Sequence, residues 1–117
     1  MEPNHSAYVH GVVVSPEVEA LVALGPFPDS ADTTEEELNR HEALLEAIAT
    51  PVSDEEALAL SRLFGPDDYF GLAFSLRRLV ESAAGWPIWQ ALDGDDPWIR
   101  DLRDRAVNSG FVPPTQT

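Results

Sequence analysis

Thr34-Glu35-Glu36-Glu37-Leu38-Asn39-Arg40-His41-Glu42-Ala43-Leu44-Leu45-Glu46-Ala47-Ile48-Ala49-Thr50-Pro51 is the stretch on which the fold turns. Its helix starts near Thr33 or Thr34. Thr34 followed by Glu37 makes a capping-box pattern, because a hydroxyl there accepts from a backbone N–H three residues on while the glutamate reaches back. At about 100° per residue, Leu38, His41, Leu44, Leu45, Ile48 and Ala49 share one side. Glu35, Asn39, Glu42 and Glu46 fall on another side and form an acidic ridge. Glu36 and Arg40 stand four apart in the favourable order, worth only about 0.3–0.5 kcal/mol. Thr50-Pro51 ends the helix, since proline disfavours a helical conformation in the residue before it.

The same punctuation repeats on both sides. Ser15-Pro16-Glu17 offers an N-cap, a proline at the first helical position and an acid at the positive end of the dipole. Val18, Leu21, Val22 and Leu24 give that helix its apolar face, and Gly25-Pro26 stops it. Ser53 to Glu56 is a second capping box, opening a helix with Ala57, Leu60, Leu63 and Phe64 on its buried side. Pro66-Asp67-Asp68 is expected to start a fourth helix, its aspartates opposing the dipole. Tyr69, Leu72, Leu76, Leu79, Val80 and Ala83 make its stripe. Phe70 and Phe74 lie outside that stripe, so the helix reads as apolar over most of its circumference and therefore central. Gly71 reads as a point of close approach by a neighbour. Trp86-Pro87-Ile88-Trp89-Gln90-Ala91-Leu92 is expected to form a short helix with Pro87 at its first position. Asp96-Pro97 caps a last helix that buries Trp98, Ile99, Leu102 and Ala106, and Gly110 with Phe111 fits a Schellman ending.

These elements predict an all-α fold, a compact bundle of about five helices with short connections and an extended N-terminal arm. Residues 1–14, β-prone at Tyr8-Val9-His10-Gly11-Val12-Val13-Val14, form the arm. Residues 15–111 form one helical domain and residues 112–117 a flexible tail.

Charge decides the rest. The 117 residues carry 21 acidic and 7 basic side chains, a net charge of −14, with no lysine and no cysteine. Residues 1–57 hold 13 acids and one base, Arg40, while residues 58–117 hold 8 acids and 6 arginines. A surface this negative repels nucleic acid and anionic membranes, which need clustered Lys and Arg. It attracts basic proteins and steers their approach. The missing lysine removes Schiff-base and P-loop chemistry, and arginine-for-lysine bias in a GC-rich genome explains it. The missing cysteine removes disulfides, thiolate metal sites and Cys nucleophiles, and fits a reducing compartment. Without a membrane-length apolar run or a signal pattern, the expected location is cytoplasmic.

Candidate sites are few. His41 with Glu37 one turn away is the only metal-like pair, yet His41 falls in the apolar stripe, where a hydrogen-bonded core histidine is the commoner outcome, and no metal motif accompanies it. No nucleophile elbow or cofactor-binding glycine motif occurs. Asp67-Asp68 and Asp95-Asp96 read as residues that start helices. Trp86, Trp89 and Trp98, followed by Arg100, Arg103 and Arg105, combine two residue types enriched at binding hot spots. The competing reading seals these rings against one end of the bundle.

The run Leu63-Phe64-Gly65-Pro66-Asp67-Asp68-Tyr69-Phe70-Gly71-Leu72-Ala73-Phe74, continuing to Ala84-Gly85-Trp86-Pro87, resembles a segment of uncharacterised small acidic helical proteins of actinobacteria. The resemblance is confined to the centre of the chain. It implies no activity and assigns no functional residue.

The sequence therefore points to a non-enzymatic, acidic protein-binding module of the inhibitor or immunity/antitoxin type, which docks on a basic partner. Glu35, Asn39, Glu42 and Glu46 would make the contact, with Trp86 and Trp89 as anchors. No catalytic residue, metal or cofactor is expected. Two alternatives stand beside it: an adaptor or homodimeric subunit joined through the Trp-rich patch, and a small enzyme or metal-binding protein using His41.

Overall fold

Four side-chain caps fix where the helices begin. Ser15 accepts from Val18 N at the head of α1 (Pro16–Leu24), and Thr34 from Glu37 N at the head of α2 (Glu35–Ala47). Ser53 accepts from Glu56 N at the head of α3 (Asp54–Leu60), and Asp96 from Trp98 N at the head of α5 (Pro97–Asn108). The remaining helix, α4 (Leu72–Glu81), has no side-chain cap. Short 3₁₀ turns cover Ser30–Asp32 and Trp89–Leu92. The computed structural model describes residues 8, 9 and 12–114, and among them these five α-helices dominate. Residues 1–7, 10 and 11 of the expected arm, and residues 115–117 of the expected tail, lie outside the described residues. Within the arm, β1 (Tyr8–Val9) pairs antiparallel with β2 (Val12–Val13), and Val12 stands opposite Val9.

The all-α bundle is as expected. α1 packs on α2 and α3, α3 packs on α4, and the Trp89–Leu92 turn packs on α5. Their shared core includes Leu21, Leu60, Leu76, Val80, Leu92 and Leu102. At about 25 cal/mol per Å² of apolar surface removed from water, such leucines are the main source of stability. The Ser53–Glu56 box is complete, and its Glu56 carboxylate is buried because it takes two backbone donors: Ser53 N at 2.8 Å and Ser15 N at 2.7 Å. That second bond ties the entry of α1 to α3. At Gly110 (φ +100°) the N–H donates to Val107 O, and Phe111 N donates to Ala106 O, which is the expected Schellman ending.

Several local expectations are corrected. α4 begins at Leu72, not at Pro66, because Tyr69, Phe70 and Gly71 all take left-handed backbone, with φ of +48°, +56° and +89°. Successive left-handed residues cannot continue a right-handed helix. Asp67 accordingly does not face the α4 dipole. Its carboxylate accepts from Tyr69 N at 3.0 Å, Ser30 N at 3.3 Å and the Ser30 hydroxyl, stapling this loop to the first 3₁₀ turn. Phe70 and Phe74 do not make α4 apolar all round within the core; they are exposed. Gly71 has no neighbour close enough to need the missing side chain, and its role is the left-handed turn. The close approach is at Gly65, where a Cβ would lie 2.2 Å from Phe27 O.

The ends of other helices also shift. α1 buries Val18 and Leu21, but Val22 and Leu24 are exposed. α2 stops at Ala47, leaving Ile48 buried in extended backbone and Ala49 exposed. α3 stops at Leu60, and Leu63 and Phe64 enter the core from the turn that follows. Ile88, with φ −92° and ψ 89°, is not helical, so the expected helix with Pro87 at its first position shrinks to the turn Trp89–Leu92. Thr34 forms only its own half of a capping box. The Glu37 carboxylate accepts instead from Thr33 Oγ1 at 2.9 Å.

Candidate functional site: the exposed face of α2

Glu35, Asn39, Glu42 and Glu46 succeed one another at spacings of four, three and four, so the helical period stacks them along one line of α2. All four are exposed. The line is about 16 Å long at the usual rise per residue. Glu36, on the neighbouring face, is exposed as well, and the expected Glu36–Arg40 pair does not form among the described residues. None of Glu35, Glu42 or Glu46 makes an ion pair among the described residues. Toward its C-terminal end the ridge borders a groove of about 240 Å³. Leu45, Leu72 and Leu79 line it together with Glu42, Glu46 and, from α4, Arg78.

What holds α2 in place lies on its opposite side. The rings of Phe27, His41 and Tyr69 pack mutually, with centroids 5.0 to 5.2 Å apart. His41 is 1% exposed. Its Nδ1 lies 3.0 Å from Glu37 O and 2.9 Å from Tyr69 Oη. A carbonyl only accepts, so the ring proton sits on Nδ1, and Tyr69 Oη is free to donate to Thr33 Oγ1 at 3.0 Å. Thr33 in turn donates to the Glu37 carboxylate. Nε2 is then a buried lone pair with no partner. Burial is the main reason that the His41 pKa falls below its ordinary value, outweighing the Glu37 carbonyl that raises it. Burial likewise raises the Tyr69 pKa, against the Thr33 bond. His41 is thus a neutral core residue that orients α2. Among the described residues no group of three or more His, Asp or Glu side chains is placed to hold a metal ion.

Trp86 and Trp89 stand apart from the ridge. Both are half-buried against the core. Trp86 lines a groove with Glu81, Arg105 and Phe111, and Trp89 lines another with Leu92, Arg103, Pro113 and Pro114. The groove beside the ridge contains neither indole.

The arginines that follow the tryptophans are largely engaged. Arg103 Nη1 donates to Leu92 O at 2.7 Å and Gly94 O at 3.3 Å, closing the turn before α5. Arg105 forks onto Glu81, Nε to Oε2 at 2.6 Å and Nη2 to Oε1 at 3.1 Å. That fork belongs to a seam which sequence reasoning missed. Phe74 meets Trp98 edge-on at 5.3 Å, and Arg77 Nη1 donates to Asp101 Oδ2 at 3.0 Å. Each of the three pairs joins a residue of α4 to the residue 24 places later in α5. A constant offset means parallel helices in fixed register. The signal was present: Phe74, Arg77 and Glu81 are spaced three and four apart, as are Trp98, Asp101 and Arg105, with opposite charges in matching places.

No protein-family model, curated protein or solved structure matches the chain.

Proposed function

We propose that this protein is a non-enzymatic binding module that uses the exposed carboxylate line of α2 to dock on a basic protein surface, in the manner of a small acidic inhibitor or immunity-type protein. One observation carries the reading: Glu35, Glu42 and Glu46 are aligned, exposed and without ion-pair partners among the described residues. Glutamates that served only to solvate the helix would have no need of a single line with so little countercharge. Here Arg40 is the one base in residues 1–57, and Arg78 of α4, across the groove, makes no ion pair with Glu42 or Glu46 among the described residues. A concentrated negative strip raises the association rate of a cationic partner by roughly 10- to 1,000-fold at low salt. Asn39, within the strip, offers an amide donor and acceptor that fix register without adding charge. The groove beside Glu42 and Glu46 suits an arginine or lysine side chain, its aliphatic stem on Leu45, Leu72 and Leu79 and its head on the carboxylates.

The test is capture from lysate at low and high salt, comparing the natural chain with a Glu35→Lys/Glu42→Lys/Glu46→Lys variant. A basic protein held by the natural chain, released by salt and missed by the variant supports the proposal. Equal capture by both refutes the assignment to α2.

A further inference from the structure

Among the described residues, His41 Nε2 is the one buried side-chain polar atom without a hydrogen-bond partner. The Nδ1 proton is already committed to Glu37 O and lies beside Tyr69 Oη. A neutral ring tolerates this arrangement. An imidazolium does not, because Nε2 would become a second donor, sealed from solvent, with nothing to accept from it.

The surroundings offer the proton no acceptor. Two charges on α2 act on His41: Glu37, one turn away, favours protonation, and Arg40 opposes it. Phe27 packs on the ring without charge, and Tyr69 is a phenol whose burial raises its pKa. In the turn that carries Tyr69, Asp67 is bonded to Ser30 and Tyr69 N, and Asp68 is exposed. α1 and α4 also pack on α2, yet their charged side chains (Glu17, Glu19, Arg77, Arg78 and Glu81) make no hydrogen bond to His41. Relief therefore requires one wall around the ring to move.

The turn before α4 is the wall with the least holding it. From Gly65 to Gly71, Tyr69 alone is buried. Tyr69 and Phe70 stand at φ +48° and +56°, left-handed backbone that costs a residue other than glycine free energy. Phe70 is 61% exposed, so burial of the Tyr69 ring must offset the strain of both. The turn is fixed at either end, by the Asp67–Ser30 staple and by buried Leu72 and Ala73 at the start of α4. Gly71, with φ +89° and no atom crowding it, gives a hinge. Phe27 is held better: its ring is buried and its N–H donates to Leu63 O at 2.8 Å.

We infer that His41 is an acid-sensitive latch: a proton on Nε2 releases Tyr69 from the core and opens the Asp68–Gly71 turn, while the five helices stay folded. In the open form water reaches Nε2, and Nδ1 keeps its bond to Glu37 O. That form takes up its proton near pH 6.5, whereas the closed form does so only at lower pH. Opening is thus favoured as pH falls below 6.5, by a factor approaching tenfold per pH unit until the closed form is protonated as well. The glutamate line lies on the opposite side of α2, so the latch stands or falls independently of docking.

Amide hydrogen exchange of the full chain, followed by NMR from pH 7.5 to 5.5 with and without low concentrations of urea, tests the latch. The N–H groups of Gly71, Leu72 and Ala73 report on the turn, because they bond Asp68 O, Tyr69 O and Asp68 O. Corrected for intrinsic rates, their protection should fall at least about threefold over this range. Urea should barely change it, since opening a short turn exposes little surface. Leu76 and Leu102, buried in α4 and α5, should exchange more slowly and with a steep urea dependence. His41→Phe should remove the pH dependence of the turn amides, and His5→Gln/His10→Gln should leave it intact. Should His41→Phe fail to fold, the pH and urea dependences of the natural chain still decide. Turn amides that share the urea dependence of Leu102 overturn the latch, because opening is then global. So does protection that ignores pH, or a pH dependence that survives His41→Phe.

Discussion

α2 and the α4–α5 seam are both amphipathic and both charged on the outside, yet they use charge in opposite ways. Along the seam each charge is answered: Arg77 by Asp101, Arg105 by Glu81. On α2 the line of Glu35, Glu42 and Glu46 is unanswered among the described residues, and the helix is anchored instead through a buried network on its far side. The difference teaches that acidity here has two sources. Along the seam, Glu81 and Asp101 act as internal partners that set helix register. On α2, Glu35, Glu42 and Glu46 are left for solvent or for a partner, while His41, Tyr69 and Phe27 supply the fixing that ion pairs do not.

The largest expected effect comes from breaking the α2 anchor. Tyr69→Ala removes a ring with no exposure and leaves His41 Nδ1 and Thr33 without it. By the usual cost of deleting a buried aromatic, stability in urea should fall by about 3–5 kcal/mol. Gly65→Ala, in the same region, places a methyl against Phe27 backbone and should cost about 1–3 kcal/mol through overpacking. If the Tyr69→Ala loss were near zero, the claim that α2 is held from this side would fail; a Gly65→Ala loss near zero would contradict the close approach of Phe27 backbone.

Acid should probe the same anchor. His41 has its pKa lowered in the folded state from 6.5, so as pH drops below 6.5 the unfolded chain takes up the proton first. The contribution of His41 is thus complete above pH 6.5 and declines as pH falls toward the folded value. A proton on Nε2 would find no acceptor in its buried site. Urea midpoints measured from pH 7 downward should show this decline in the natural chain and a flatter profile in His41→Phe through the first part of the range. At lower pH a second loss should follow in both, because the Ser30 hydroxyl bond holds the Asp67 pKa below its usual 3.8.

The seam sharpens the comparison with smaller numbers. A double-mutant cycle on Phe74 and Trp98 should give a coupling of about 0.5–1.5 kcal/mol, as aromatic pairs do. The Arg105–Glu81 cycle should give under about 1 kcal/mol, since the arginine is half exposed and water screens the pair. A seam whose ion pair outweighed its aromatic pair would reverse this ordering.

How far the chain could be read in advance follows the same division. Local grammar was legible, because a cap is decided within a few residues: Ser15, Thr34, Ser53 and Asp96 each cap where their spacing predicts. The acidic line was legible for the same reason, a fixed period along one helix. The start of α4 was not. Pro66-Asp67-Asp68 has the local form of a helix start, and what diverts it is tertiary: Asp67 bonding Ser30, and Tyr69 turning inward onto His41. Phe70 was misplaced by the same error; Phe74 does lie in α4 outside the buried stripe, and only the reading of that helix as apolar all round and central failed there. The α4–α5 register was written in two matching spacings, but reading it requires knowing that those helices lie parallel.

The central claim is that the position of charge on α2, and not the total charge, recognises a cationic surface. Two triple variants with identical net charge separate these: Glu35→Lys/Glu42→Lys/Glu46→Lys on the line, and Asp93→Lys/Asp95→Lys/Asp104→Lys at exposed sites elsewhere. The direct measurement is the affinity of each for an arginine-rich peptide, by calorimetry, across a salt series. At least a tenfold loss confined to the α2 variant, with the other triple near the natural chain, is the predicted result. Equal losses in the two variants would show that the glutamate line has no role beyond adding to the overall charge.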